Sequence, residues 1–105
     1  MARPLIHPGE ILADELEELG ISATTLSRAL DVPTNRITQI INGQGAITAE
    51  TALRLARWFG TSPDFWLNLQ KQYELRLAEQ QHGQKIREKV SPRVAHHPSA
   101  SLPTA

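Results

Sequence analysis

Residues 23–42 read ATTLSRAL, DVP and TNRITQIIN, which are two short amphipathic segments joined by three residues that include a proline. Proline cannot continue the helical hydrogen-bond ladder, so residues 31–33 mark a break between two helices. In the second segment Ile37, Ile40 and Ile41 recur at helical spacing and therefore share one face. This pattern is typical of a helix-turn-helix, in which the second helix reads DNA.

The face opposite the three isoleucines is polar and suits base edges. Asn and Gln side chains can each form two hydrogen bonds with an adenine edge, and Arg can do the same with guanine. Asn35, Arg36 and Gln39 are therefore the candidate base readers, and Thr38 is a candidate for a thymine methyl group or a phosphate. Ser22 and Thr34 lie at predicted helix starts, where backbone N–H groups attract phosphate. The alternative reading is a solvated polar face on an ordinary helical domain.

Capping residues place three further helices around this pair. Pro8 opens the first helix, Thr48 caps the fourth and Ser62 caps the fifth, while Gly20 and Gly60 end the first and fourth. Ser22 is the predicted cap of the second helix. The fifth helix is predicted to end near Gln81. No strand pattern occurs in residues 1–81, so we predict an all-α fold.

We expect one domain for DNA binding and dimerisation over residues 1–81, because a chain of 105 residues buries only one modest core. Residues 82–90 are expected to add a weak helical turn or two. Residues 91–105 are rich in Pro, Ser, Ala and His, which predicts a disordered tail, so that 82–105 form a weakly helical and then disordered segment.

Charge is balanced in this chain, with eleven basic and eleven acidic residues. DNA-binding domains are often basic, but the local potential beside the duplex decides binding rather than the total charge. Five acidic residues fall in the first predicted helix: Glu10, Asp14, Glu15, Glu17 and Glu18. That surface is expected to face away from the phosphates.

The sequence lacks the residues that metal-binding, disulfide-linked, catalytic and membrane proteins need. The chain has no cysteine, which excludes disulfides and thiolate metal sites, and its four histidines are not spaced as metal ligands or as catalytic bases. It has no apolar run of about 18 residues and no secretory leader. We therefore expect a cytoplasmic protein with no catalytic or metal site, no cofactor and no membrane contact.

The fifth predicted helix carries two apolar stripes. One stripe is sufficient to bury a helix against a small domain, so two stripes suggest that one packs on the core and the other on a partner. A helix inserted deeply into its own domain is the alternative. The first stripe consists of Trp66, Leu69, Tyr73 and Leu77, and the second of Leu67, Leu75 and Ala78.

Three segments resemble the HigA family of antitoxins, also called the virulence-associated protein I group, within the Xre/Cro-like repressors. They are HPGEIL at 7–12, VPTNRITQIINGQ at 32–44 and ITAETALRLARWFGTSPDFWLNLQ at 47–70. The resemblance covers about residues 5–80. It implies a five-helix lambda-repressor-like domain that binds a double-stranded operator of its own operon as a homodimer. It also implies neutralisation of a HigB-like toxin, a small endoribonuclease.

The resemblance assigns roles to individual positions. It implies that the side chains facing DNA are Thr34, Asn35, Arg36, Thr38 and Gln39, with Ser22, Thr24 and Asn42 towards the phosphates. It implies that the homodimer contact draws on Trp66, Leu69, Gln70, Tyr73 and Leu77.

Three other functions stay open from the sequence. A stand-alone repressor of the prophage or plasmid type would need the same helices and no toxin. A protein-interaction module that has lost DNA binding would agree with the neutral charge. An enzyme lacks any catalytic constellation in this chain.

Overall fold

Five helices make up the part of the chain that the structure describes. In the computed structural model, residues 5–94 are described, and they contain α1 (Pro8–Leu19), α2 (Ala23–Leu30), α3 (Thr34–Ile41), α4 (Ala49–Phe59) and α5 (Pro63–Lys89). Between residues 5 and 94 there is no strand. The predicted all-α fold is confirmed, and α2 and α3 are the two helices of the predicted helix-turn-helix.

The helix boundaries follow from local capping chemistry. The hydroxyls of Ser22, Thr48 and Ser62 each accept a hydrogen bond from the backbone N–H three residues further on, at 3.1, 3.3 and 3.2 Å. Gly20 and Gly60 adopt the left-handed conformation that ends a helix, with φ of 69° and 77°. All five predicted caps are confirmed.

The core lies where the five helices meet. α4 packs on α5, α2 packs on α3 and α4, and α1 packs on α3 and α5. Every helix contributes, and so does the loop before α4, through the buried apolar residues Leu12, Leu16, Leu26, Leu30, Ile37, Ile40, Ile47, Ala52, Leu55, Ala56 and Trp66. Because α3 is held by neighbours on one side only, its other side remains open.

α5 is longer than its sequence pattern indicated. It was predicted to end near Gln81 but continues to Lys89, a helix of 27 residues. The turn or two expected over residues 82–90 therefore continue α5 without a break, and the side chains of Glu79 and Arg87 pair across Gly83 while Gln84 donates a hydrogen bond to Glu88. Residues 95–105 of the predicted tail lie outside the described residues.

None of the helices between residues 5 and 94 combines the length and apolar character needed to cross a membrane. In the same stretch no three His, Asp or Glu side chains converge as metal ligands would.

Candidate nucleic-acid interface

α3 presents one buried face and one open face. Ile37 and Ile40 are buried completely or almost completely, and Ile41 is half-buried against the same core. Asn35 and Gln39 lie on the exposed side. The predicted anchoring of α3 by isoleucines is therefore confirmed, and amide side chains cover the side that remains open.

Two contacts fix the position of α3. The backbone of Gly9 in α1 approaches the Ile40 carbonyl so closely that a Cβ on Gly9 would stand 2.7 Å from the carbonyl carbon. At the other end the Ser27 and Thr34 hydroxyls lie 3.0 Å apart, within hydrogen-bonding distance, and link α2 to α3. The first turn of α3 has no side-chain cap, which leaves backbone N–H groups available there to an acceptor from outside.

The turn between α2 and α3 depends on Asp31 and Arg54. Asp31 ends α2 in the left-handed conformation, with φ 59° and ψ 50°, which Asp tolerates better than most residues. The Arg54 guanidinium of α4 donates to the carbonyl oxygens of Leu30, at 2.8 Å, and Asp31, at 3.4 Å. A cation at the carboxyl end of a helix is electrostatically favourable, so Arg54 stabilises the turn that sets the angle between the two helices.

Glu50 connects this turn to α3. Its carboxylate pairs with Arg36 of α3 at 3.0 Å and with Arg54 at 3.4 Å. Hydrogen bonds from Arg54 and then from Arg36 hold the pKa of Glu50 below its ordinary value of 4.5. The candidate guanine reader Arg36 is therefore already engaged at one nitrogen before any DNA is present.

The remaining candidate DNA contacts lie near the open face of α3 or at the start of α2. Asn42 is exposed just after α3, and Thr24 is exposed on α2. The Ser22 hydroxyl already serves as the cap of α2 and donates to the Thr25 hydroxyl at 3.2 Å. The Thr38 hydroxyl donates to the Asn35 carbonyl at 3.2 Å, which uses its proton within the helix.

Two of the five candidate dimer residues belong to the core of a single chain. Trp66 is 1% exposed and its indole N–H donates to the Thr61 hydroxyl at 2.9 Å. Gln70 is 7% exposed and accepts a hydrogen bond from the backbone N–H of Ile47 at 2.8 Å. Both side chains are packed and bonded inside their own chain, which leaves little of either surface for a second copy, and their assignment to the homodimer contact stays a prediction.

The other three candidate dimer residues are partly accessible. Leu69, Tyr73 and Leu77 are half-buried on α5. The Tyr73 ring packs edge-on against the ring of His7, with centroids 4.6 Å apart. Phe65, near the start of the same helix, is 43% exposed.

Sequence reasoning missed four residues that build the site. His7 and Glu10 form a reciprocal cap at the start of α1, in which Gly9 N–H donates to His7 Nδ1 at 2.9 Å and His7 N–H donates to Glu10 at 3.1 Å. Their spacing matches the capping-box pattern, with His in place of Ser or Thr, and could have revealed them. Glu50 and Arg54 are spaced i, i+4 on α4, which is a local signal for their own pair. The contacts of Glu50 with Arg36 and of Arg54 with Leu30 depend on the tertiary fold.

Comparison with known proteins agrees with this architecture. The helix-turn-helix family profile matches residues 12–66. Virulence-associated protein I of Dichelobacter nodosus is 53% identical over 78 residues, which cover 73% of this chain and 72% of that protein.

Two solved structures are similar over most of the chain. An addiction-module antidote protein of the HigA family from Coxiella burnetii superposes with a TM-score of 0.84 at 54% identity, covering 86% of this chain and 99% of that one. Pseudomonas aeruginosa antitoxin HigA, solved with the higBA promoter, gives a TM-score of 0.84 at 43% identity, covering 87% and 100%. This chain belongs to the HigA family of helix-turn-helix, DNA-binding antitoxins.

Proposed function

We propose that this chain represses its own operon by binding operator DNA as a homodimer, and that it binds and neutralises a HigB-like endoribonuclease toxin. The observation that carries the DNA-binding part is the open amide-rich face of α3, held from behind by Ile37 and Ile40. A relative that was solved with promoter DNA has the same fold, which supports the same use of this face.

In this proposal α3 enters the major groove and its first turns reach the bases. Asn35 and Gln39 hydrogen-bond adenine edges, Arg36 bonds a guanine, and the methyl group of Thr38 contacts a thymine. Phosphate contacts fix the register of the protein on the duplex. They come from Ser22, Thr24, Thr34 and Asn42, which are exposed at the beginning of α2 and around α3.

We propose that the homodimer forms along α5. Leu69, Tyr73 and Leu77 supply a half-buried stripe, and exposed Phe65 extends it towards the start of the helix. Apolar side chains that remain accessible in one chain gain free energy when a second copy covers them. A two-fold dimer would present two copies of α3 to half-sites about one DNA turn apart.

For the toxin we propose the acidic side of α1. Asp14, Glu17 and Glu18 are exposed there, and Leu19 at the end of the helix is 52% exposed. A small basic ribonuclease would be attracted to this surface, because complementary charge accelerates association. The surface belongs to a different helix from the one proposed to read DNA.

The experiment that tests the proposal uses the full chain, its own promoter and the neighbouring gene. Promoter affinity is measured by fluorescence anisotropy at several salt concentrations, and the neighbouring gene product is tested for ribonuclease activity with and without this chain. We expect saturable promoter binding that weakens steeply with salt, and loss of ribonuclease activity on mixing.

The outcomes separate the functions that the sequence left open. Absence of promoter binding at low salt would overturn the repressor role and favour a protein-interaction module. Promoter binding with no toxin encoded beside the gene would overturn the antitoxin role of this chain and leave a stand-alone repressor.

A further inference from the structure

Glu50 occupies an unusual position for an acidic residue beside a proposed DNA-reading surface. It lies in the first turn of α4 and is exposed, with 61% of its side chain accessible. An unpaired carboxylate at this position would repel phosphates. Instead, one of its oxygens contacts Arg36 at 3.0 Å and the other contacts Arg54 at 3.4 Å.

The carboxylate of Glu50 is itself held in place. Arg54 lies one helical turn further along α4 and donates to the Leu30 carbonyl at 2.8 Å, at the end of α2. A series of contacts therefore runs from the helix-turn-helix turn through Arg54 and Glu50 to Arg36. A long Arg side chain normally samples many rotamers, but Arg36 is tied to the same turn that orients α3.

The pairing engages only part of the Arg36 guanidinium. Glu50 accepts from Nη1, and among residues 5–94 no other side chain forms a hydrogen bond or ion pair with Arg36. The Nε and Nη2 donors lie on the other edge of the planar group. Two parallel N–H donors of that kind match the O6 and N7 acceptors of guanine.

We propose that Glu50 is a specificity-determining residue for operator binding, which acts by positioning Arg36 and not by touching DNA. This inference rests on the proposed function of α3. In the matched complex Arg36 keeps its contact with Glu50 and uses its free edge on a base. On unrelated DNA the contact with Glu50 keeps the Arg36 guanidinium directed at base edges rather than at the phosphates, so the pair disfavours non-specific binding.

The expected change in operator selectivity follows from the usual strength of exposed ion pairs, and the expected change in salt dependence follows from counterion release at the phosphates. Breaking an exposed ion pair changes a binding constant by a small factor. Loss of Glu50 should weaken binding to the operator and strengthen binding to a random duplex, so the two changes add in the affinity ratio. We expect Glu50→Gln to lower the ratio of operator affinity to random-duplex affinity about three- to tenfold. The slope of log affinity against log salt for the random duplex should steepen by about 0.9, because freed Arg36 neutralises one more phosphate.

The measurement is anisotropy titration of full-length wild type and Glu50→Gln against the operator and a scrambled duplex of equal length, across a salt series. Glu88→Gln is the matched control, since it removes one negative charge from an exposed site at the far end of α5. The same comparison is made in an Arg36→Ala background. Thermal melting of each variant verifies the fold.

We expect Glu50→Gln to reduce the ratio of operator affinity to scrambled-duplex affinity, and Glu88→Gln to leave this ratio unchanged. In the Arg36→Ala background, Glu50→Gln should no longer change the ratio. Glu50→Asp, which keeps the charge and withdraws the carboxylate by one methylene, should also lose selectivity. The proposed role of Glu50 would be overturned if Glu50→Gln left the affinity ratio unchanged or lowered it equally in the Arg36→Ala background. Full selectivity in Glu50→Asp would overturn it as well. If wild type fails to prefer its operator, the proposed function itself is overturned and this inference with it.

Discussion

Gly9 and Ile40 meet backbone to backbone: a Cβ on Gly9 would overlap the Ile40 carbonyl oxygen and stand 2.7 Å from the carbonyl carbon. Ordinary contacts of a Cβ lie at 3.4–4 Å. The start of α1 therefore rests directly on the last turn of α3. The absence of a side chain at position 9 decides how deeply α3 sits and how far its polar face projects.

Gly9→Ala should lower the free energy of unfolding by about 1–3 kcal/mol, because the methyl group forces two helices apart within a packed core. Gly83→Ala is the matched control. At that position the added Cβ meets only the Glu79 carboxylate end, which can move into solvent, so stability should rise by about 0.5–1 kcal/mol as expected for Gly to Ala within a helix. Urea unfolding of both variants is the check, and equal effects of the same sign would argue against close packing at Gly9.

Leu77→Asp should weaken the proposed homodimer while each chain stays folded. Leu77 is half-buried on α5 and is not among the residues that form or line the core, so a carboxylate there keeps some contact with water in the single chain and loses it on dimerisation. Light scattering should report a dimer for wild type and a monomer for the variant at the same concentration. Leu75→Asp, at a position 63% exposed on another side of α5, should remain dimeric. A dimeric Leu77→Asp would place the interface elsewhere.

The Glu50 ion pairs should stabilise the fold only above acidic pH. Because Arg54 and Arg36 lower the pKa of Glu50 in the folded chain, their contribution is present above the ordinary value of 4.5 and is lost as pH falls through the depressed value. Wild type should be more stable than Glu50→Gln at pH 7, and the difference should shrink towards pH 3. Urea unfolding at both pH values tests this, and a difference that grows on acidification would contradict the assigned pairing.

Reversing charge on α1 should slow toxin association. Glu17→Lys combined with Glu18→Lys removes exposed acids, so the association rate constant should fall, and more strongly at low salt, while dissociation changes little. Stopped-flow mixing with the toxin gives both rates. An unchanged association rate at low salt would place the toxin on another surface, whereas operator affinity is expected to hold in either case.

Local sequence was sufficient to predict most of the architecture. Ser22, Thr48 and Ser62 cap helices through bonds that span three residues, and such bonds depend on nothing distant. The burial of Ile37 and Ile40 follows from spacing alone. These features could be predicted because their causes lie within one or two helical turns.

Features that depend on the rest of the fold could not be predicted in this way. Periodicity showed that Trp66 lies on an apolar stripe, but it did not show whether its own chain or a second copy covers that stripe. Gln70 is buried because a backbone N–H at Ile47 needs an acceptor, a pairing across 23 residues. The contact between Arg36 and Glu50 likewise joins two helices, and only assembly of the core brings it about.

The polar face of α3 is proposed to read base edges, and a base-substitution scan with Gln39→Ala is the sharpest check of that role. Gln39 is exposed on α3, so its removal should leave the thermal melt unchanged. Operator affinity should fall by about 1–3 kcal/mol, and the variant should no longer discriminate at one base pair while wild type still does. A variant that keeps full affinity and the wild-type preference at every base pair would show that this face of α3 does not read the operator.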